Sequence, residues 1–182
     1  AARSSTSDCA SLHDPIVSAY RRLTIHYLSN VYTNAQYLIK IYSVPCGTFH
    51  QTSAGDVSAF IERMAVDPTQ LMYGIFYNNQ HIGNIKLGNI NSQHQTANLS
   101  YLIGARKLWG KGVASKAIET ITEIGFQQIG LMKICAGVYE NNIASSKVLV
   151  KNGYSLEGRR KGQYVFNNSR IDALLYAKNK GT

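Results

Sequence analysis

Leu23–Tyr27 (LTIHY) alternates apolar and polar positions, the period-two pattern of a half-buried strand. Residues 34–44 (NAQYLIKIYSV) read as a helix with Asn34 as its cap. A clearer helix follows: Ser53 and Asp56 make a capping-box-like start, Val57, Phe60, Ile61, Met64 and Ala65 share one face, and Asp67-Pro68 stops it. Leu71–Tyr77 (LMYGIFY) and His81–Leu87 (HIGNIKL) flank Asn78-Asn79-Gln80, which predicts a hairpin. Beyond a polar loop around Asn91 to Gln95, Ala97–Ile103 (ANLSYLI) predicts a further strand.

The longest helical pattern runs from Val113 to Ile129, with Ala114, Ala117, Ile118, Ile121 and Ile124 on one face. Met132–Tyr139 (MKICAGVY) predicts a buried strand, Asn142–Lys151 a short helix closed by Gly153, and Tyr154–Gly158 and Arg170–Tyr176 the last strands. The order β-α-α-β-β-β-α-β-α-β-β predicts an α/β (α+β) fold with one mixed, mostly antiparallel sheet of six to seven strands and helices on both faces. With 182 residues and 45% hydrophobic content, the chain is expected to form a single domain over residues 15–182, behind a flexible tail of residues 1–14.

Composition narrows the classes. No window approaches the ~20 apolar residues that span a bilayer, and Ala1 to Leu12 lacks the apolar core of a secretory signal. Cys9, Cys46 and Cys135 are odd in number and share no metal-ligand spacing, so free thiols, no metal and a cytoplasmic setting are expected. The net charge of +9 attracts polyanions such as nucleic acid, an anionic membrane surface or a phosphorylated cofactor.

Candidate chemistry concentrates in Tyr101–Ala114 (YLIGARKLWGKGVA), where a strand enters a loop holding Gly110-Lys111-Gly112 and a helix begins at once. The first amides of a helix lack intrahelical acceptors and carry the positive end of the macrodipole, so a pyrophosphate fits there if no Cβ blocks it. Arg106, Lys107, Lys111 and Lys116 add charge. Rival phosphate motifs fail: Gly104 and Gly110 enclose five residues rather than four, and Ser115 stands where a dinucleotide fingerprint needs its third glycine.

Residues 140–154 (ENNIASSKVLVKNGY) extend the picture. With Trp109-Gly110-Lys111-Gly112, Asn141 to Tyr154, Leu156-Glu157-Gly158 and Asp172 in order, the sequence resembles the GNAT superfamily over roughly residues 20–178, in particular its ribosomal-protein and amino-sugar N-acetyltransferase branch. The resemblance implies an acetyl-CoA-dependent acyltransferase acting on a primary amine. It assigns the loop Trp109, Gly110, Lys111, Gly112, Val113 and Ala114 to the pyrophosphate, with Lys107 where Arg or Gln is usual. Tyr101, Leu102 and Ile103 match the edge that pairs with the pantetheine arm, where a backbone N–H polarises the thioester carbonyl. Asn142 matches a cofactor contact, and Ser145 the residue near the sulfur, a donor to the departing thiolate.

The chain departs from the pattern at the general base: Asn98 and Tyr164 stand where relatives carry Glu. Glu140 and Glu157 read as surface or ion-pair residues, and His81 and His94 flank the hairpin and the following loop. A lysine side chain at pKa ≈ 10.4 needs a base, whereas an α-amine at ≈ 7.7–8.0 does not. The expected acceptor is therefore a low-pKa amine, an amino-sugar nucleotide or a protein N-terminus. Arg159-Arg160-Lys161 reads as a solvated hairpin turn, a contact for the nucleotide diphosphate, or one for ribosomal surroundings. The expected partner is thus a small-molecule or peptide amine, without nucleic acid or membrane, and a homodimer stays open. Two alternatives remain: a ping-pong enzyme using Cys135, and a non-catalytic CoA- or nucleic-acid-binding module.

Overall fold

The computed structural model describes residues 59, 60, 62–64 and 66–181, and the backbone of 23–27. The expected tail of residues 1–14, the helix at 34–44, Cys9 and Cys46 lie outside the described residues. Of the second expected helix, residues 59–66 are helical wherever described, ending before Asp67. Strands β1 (Leu23–Tyr27), β2 (Leu71–Tyr77), β3 (Gln80–Asn91), β4 (Thr96–Ile103), β5 (Lys133–Tyr139), β6 (Ser155–Phe166) and β7 (Ser169–Asn179) form one seven-stranded sheet in the order β1-β2-β3-β4-β5-β7-β6.

The β2–β3 hairpin turns where the sequence placed it, at Asn78 and Asn79, both at positive φ. Short polar side chains tolerate that conformation, and its twist matches the flanking strands. Asn167 and Asn168 repeat the device between β6 and β7. That second turn revises the sequence expectation: the strand read as Tyr154–Gly158 runs on to Phe166, so Arg159-Arg160-Lys161 is strand rather than hairpin turn. Register shifts between Leu156 and Gly158, and between Arg160 and Tyr164, absorb the irregular middle of β6.

Helix α1 (Val113–Glu123) ends earlier than Ile129, because the chain widens into a π-helical segment over Ile124–Gln128. Gly125 lies inside this segment, packed against the sheet. A Cβ there would stand 2.8 Å from Ile134 Cδ1 and 3.1 Å from Leu87 Cδ1, side-chain ends that would have to shift to make room. Ala117, Ile118 and Ile121 of α1 share the core with Ile85 and Leu87 of β3, Ala97 and Leu99 of β4, and Ile134, Ala136 and Val138 of β5. Helix α2 (Ile143–Lys151) joins the same layer through Leu149.

Two polar links set α2 against α1. Asn152 Nδ2 donates to Ser115 Oγ at 3.0 Å. Just beyond α2, the Tyr154 hydroxyl, pushed up to about 12 mainly by burial, lies 2.8 Å from Thr122 Oγ1. Both helices therefore sit on the face of the sheet that carries the apolar residues of β3, β4 and β5.

Candidate functional site

The sheet has one parallel junction. Thr96–Leu99 of β4 pair with Lys133–Ala136 of β5, and there the ladder stops. Past it, Ser100–Ile103 stay paired with β3, while Gly137–Tyr139 stay paired with β7. The two strands part and leave a gap between their C-terminal ends. Gly104 N–H donates to the Ile82 carbonyl at 2.8 Å, so alternation along β4 turns the amides of Tyr101 and Ile103 away from β3 and into the gap. An unpaired strand edge offers donors and acceptors to an extended ligand. Leu102, between them, turns its amide towards β3.

Beyond β4, a 3-10 turn at Arg106–Leu108 leads into the glycine loop. Gly110 and Gly112 hold φ of +73° and +80°, and an ideal Cβ on either meets nothing within 4 Å. Gly112 caps α1 without a side-chain hydrogen bond, so its first amides, from Val113 and Ala114 on, have neither an intrahelical acceptor nor a side-chain cap. The cradle fits a diphosphate: the backbone can approach it, and Lys107 and Lys111 lie exposed in the same loop. Trp109, expected in the cradle, has a bracing contact. Its Nε1 donates to the Ile103 carbonyl at 2.9 Å, and its ring lies 5.9 Å from the Arg106 guanidinium carbon.

Across the gap, Asn142 caps α2, its Oδ1 accepting from Ser145 N–H at 3.1 Å. Ser145 is thus fixed in the first helical turn. The Tyr101 hydroxyl is buried without a partner in full hydrogen-bond geometry, and the Ser146 hydroxyl is likewise unpaired. Burial raises the Tyr101 phenol, while the neighbouring Ser145 hydroxyl moderates the rise. Sequence reasoning assigned Tyr101 a backbone contact only; its hydroxyl emerges from the fold, because nothing local in the sequence brings β4 to α2.

Asn98 is exposed on the sheet face opposite α1 and α2. His81 stands past the level of Ile103, away from the point of divergence; it is buried, 2.8 Å from Asn84 Oδ1, and desolvation holds it below its usual value. His94 is a turn residue whose N–H donates to Asn91 Oδ1. Glu140 and Glu157 occupy the ion pairs expected of them, with Arg159 at 2.9 Å and Lys133 at 2.7 Å. Asp172 Oδ2 also meets Arg159, at 3.2 Å, while its Oδ1 accepts from Gly162 N–H. Burial pushes the Cys135 thiol up, which keeps it protonated and disfavours it as a nucleophile. Among the described residues no cluster of His, Cys, Asp or Glu is arranged to hold a metal ion, and no helix is long and apolar enough to cross a membrane.

The cradle, the parted strands and the helix layer belong to one known architecture. The chain is a member of the GNAT acetyltransferase family: the family model described as "Acetyltransferase (GNAT) domain" matches residues 21–155. The uncharacterized N-acetyltransferase YoaA of Bacillus subtilis is 34% identical over 97 residues, 53% of this chain and 54% of that protein. The ribosomal-protein-serine acetyltransferase of Escherichia coli is 28% identical over 107 residues, 59% of each. The chain thus spans a little over half the length of these curated relatives. In fold it resembles the spermidine N-acetyltransferase of Vibrio cholerae in complex with CoA and spermine, with a TM-score of 0.74 over 88% of this chain and 96% of that one at 18% identity.

Proposed function

We propose that this chain, as a single domain over residues 15–182, transfers an acetyl group from acetyl-CoA directly to a primary amine in a ternary complex. The observation that carries the reading is the gap between β4 and β5 opening beside a glycine cradle at the start of α1. The amides of Val113 and Ala114 receive the diphosphate, and Lys107 and Lys111 supplement its countercharge. Tyr101 and Ile103 hold the pantetheine arm as an added strand, an Ile103 or Tyr101 amide polarising the thioester carbonyl. Asn142 contacts the arm through the amide end not engaged as cap. Ser145 donates its hydroxyl proton to the sulfur as the carbon–sulfur bond breaks and recovers one from solvent.

Attack forms the new carbon–nitrogen bond, and the amine sheds one proton. Neither Asn98 nor Tyr164 serves as a strong base for that proton at neutral pH, so the acceptor supplies its own neutral fraction. We therefore assign a low-pKa primary amine, an amino-sugar nucleotide or a protein N-terminus, with the amino sugar favoured. The reading places the chain in the cytoplasm, with Cys135 as a free thiol, working as a monomer or homodimer. CoA release measured against amino-sugar nucleotides, N-terminal peptides, spermidine and lysine peptides tests it. Faster release with lysine peptides than with the first two classes removes the acceptor assignment, and no heat on titrating acetyl-CoA removes the activity.

A further inference from the structure

The helices α1 and α2 occupy one face of the sheet, with the cradle at the start of α1, which makes the other face of β5 to β7 the second side of the gap. Alternation identifies what this other face presents. Ile134, Ala136 and Val138 of β5 point into the core, so Tyr139 points the opposite way. Tyr164 and Phe166 join it: ring centroids lie 4.5 Å from Tyr139 to Tyr164 and 6.4 Å from Tyr139 to Phe166. Tyr164 keeps 36% of its surface exposed. Arg160 and Tyr139 both pair with Ala173, from opposite sides of β7, which sets the guanidinium and the rings on one face.

Charge is the second observation. Glu140 and Asp172 alternate onto the helix side and are both engaged by Arg159. Glu157, towards the other end of β5, is engaged by Lys133. The patch therefore offers stacked rings beside a cation, in a chain of net charge +9. A polycation would meet repulsion here and no uncommitted carboxylate among these three. A ring with an apolar C–H face stacks on the exposed Tyr164, which Tyr139 and Phe166 back, and a phosphate on that ring meets Arg160 in forked geometry.

We propose that Tyr139, Tyr164, Phe166 and Arg160 form the acceptor platform, and that it takes an amino sugar carrying a phosphate or diphosphate. The assignment rests on the acetyltransferase reading above and narrows its acceptor. Tyr164, at a position where relatives carry Glu, serves as a stacking surface instead of a base.

Steady-state CoA release with UDP-glucosamine, glucosamine and spermidine tests the platform. UDP-glucosamine is expected to show the lowest KM. Arg160→Gln is expected to raise that KM about tenfold while leaving glucosamine unchanged. Tyr164→Leu is expected to raise KM for both sugars about fivefold, with the KM for acetyl-CoA unmoved in both variants. The platform is overturned if spermidine gives the lowest KM, if neither variant moves an acceptor KM, or if Tyr164→Leu changes only the sedimenting species. Calorimetric titration of UDP-glucosamine into the CoA complex reads the same surface without turnover. Binding weakened by Arg160→Gln supports the platform even where no CoA is released, whereas absence of binding in the wild type overturns it.

Discussion

At the scale of single residues, the site joins groups that satisfy the backbone to groups left unpaired. Asn142 fixes Ser145 through a cap, whereas the Tyr101 hydroxyl, buried beside it, has no partner in full hydrogen-bond geometry. An unsatisfied buried hydroxyl costs about 1–3 kcal/mol, a cost that persists where the group is used in catalysis. Tyr101→Phe is therefore expected to raise the melting temperature by a few degrees and to lower kcat, with little change in KM for acetyl-CoA. Ser145→Ala should lower kcat in the same manner without the gain in stability. Thermal melts and steady-state kinetics on the two variants separate the cases.

His81 makes a different claim at this scale. Burial holds its folded-state pKa below 6.5, so the unfolded chain takes up the proton first as pH falls. Stability is complete above the unfolded value and declines below about pH 6.5, down to the depressed folded value. The melting temperature of the wild type should fall between pH 7.5 and 5.5 by more than that of His81→Gln. An equal fall in both proteins contradicts the assignment.

At the scale of elements, the legible parts were those with a strong local signal. Strand β2, strand β4, the cradle and the cap of α2 follow from period, asparagine turns and glycine spacing, each within a residue or two of its expected position, whereas β3 runs four residues past Leu87 to Asn91. What escaped was set at a distance. The π-helical widening after Glu123 sets Gly125 against Leu87 and Ile134, contacts made across the fold that no local pattern announces. The length of β6 depends on pairing with β7, which overrides the polar run Glu157–Lys161. The ring cluster at Tyr139, Tyr164 and Phe166 joins positions more than twenty residues apart, so no spacing rule exposes it.

Two element-level outcomes follow. Gly112→Val adds a β-branched side chain at φ +80° where the diphosphate is assigned. It is expected to raise KM for acetyl-CoA tenfold or more and to destabilise the protein by about 1–3 kcal/mol. Gly125→Val forces bulk against Ile134 and should cost about 1–3 kcal/mol by denaturant unfolding while sparing KM. A Gly125→Val protein as stable as the wild type would mean that the π segment tolerates what the close approach forbids.

For the whole molecule, the charge balance of +9 favours anionic ligands. The KM for acetyl-CoA should therefore rise between about 50 and 300 mM salt, as screening shortens the reach of Lys107 and Lys111. Insensitivity to salt would leave the backbone amides alone in charge of the diphosphate.

The junction of β4 with β5 has a mechanical side. Strands β1 to β4 and strands β5 to β7 are each antiparallel plates, and a spine of four residue pairs, Thr96–Leu99 with Lys133–Ala136, joins them. Helix α1 lies across that spine like a hinge plate, its Ile118 and Ile121 packed in one cluster with residues of both leaves. With the leaves clasped by that shared cluster, the width of the aperture past so short a spine is set by how α1 seats on both of them.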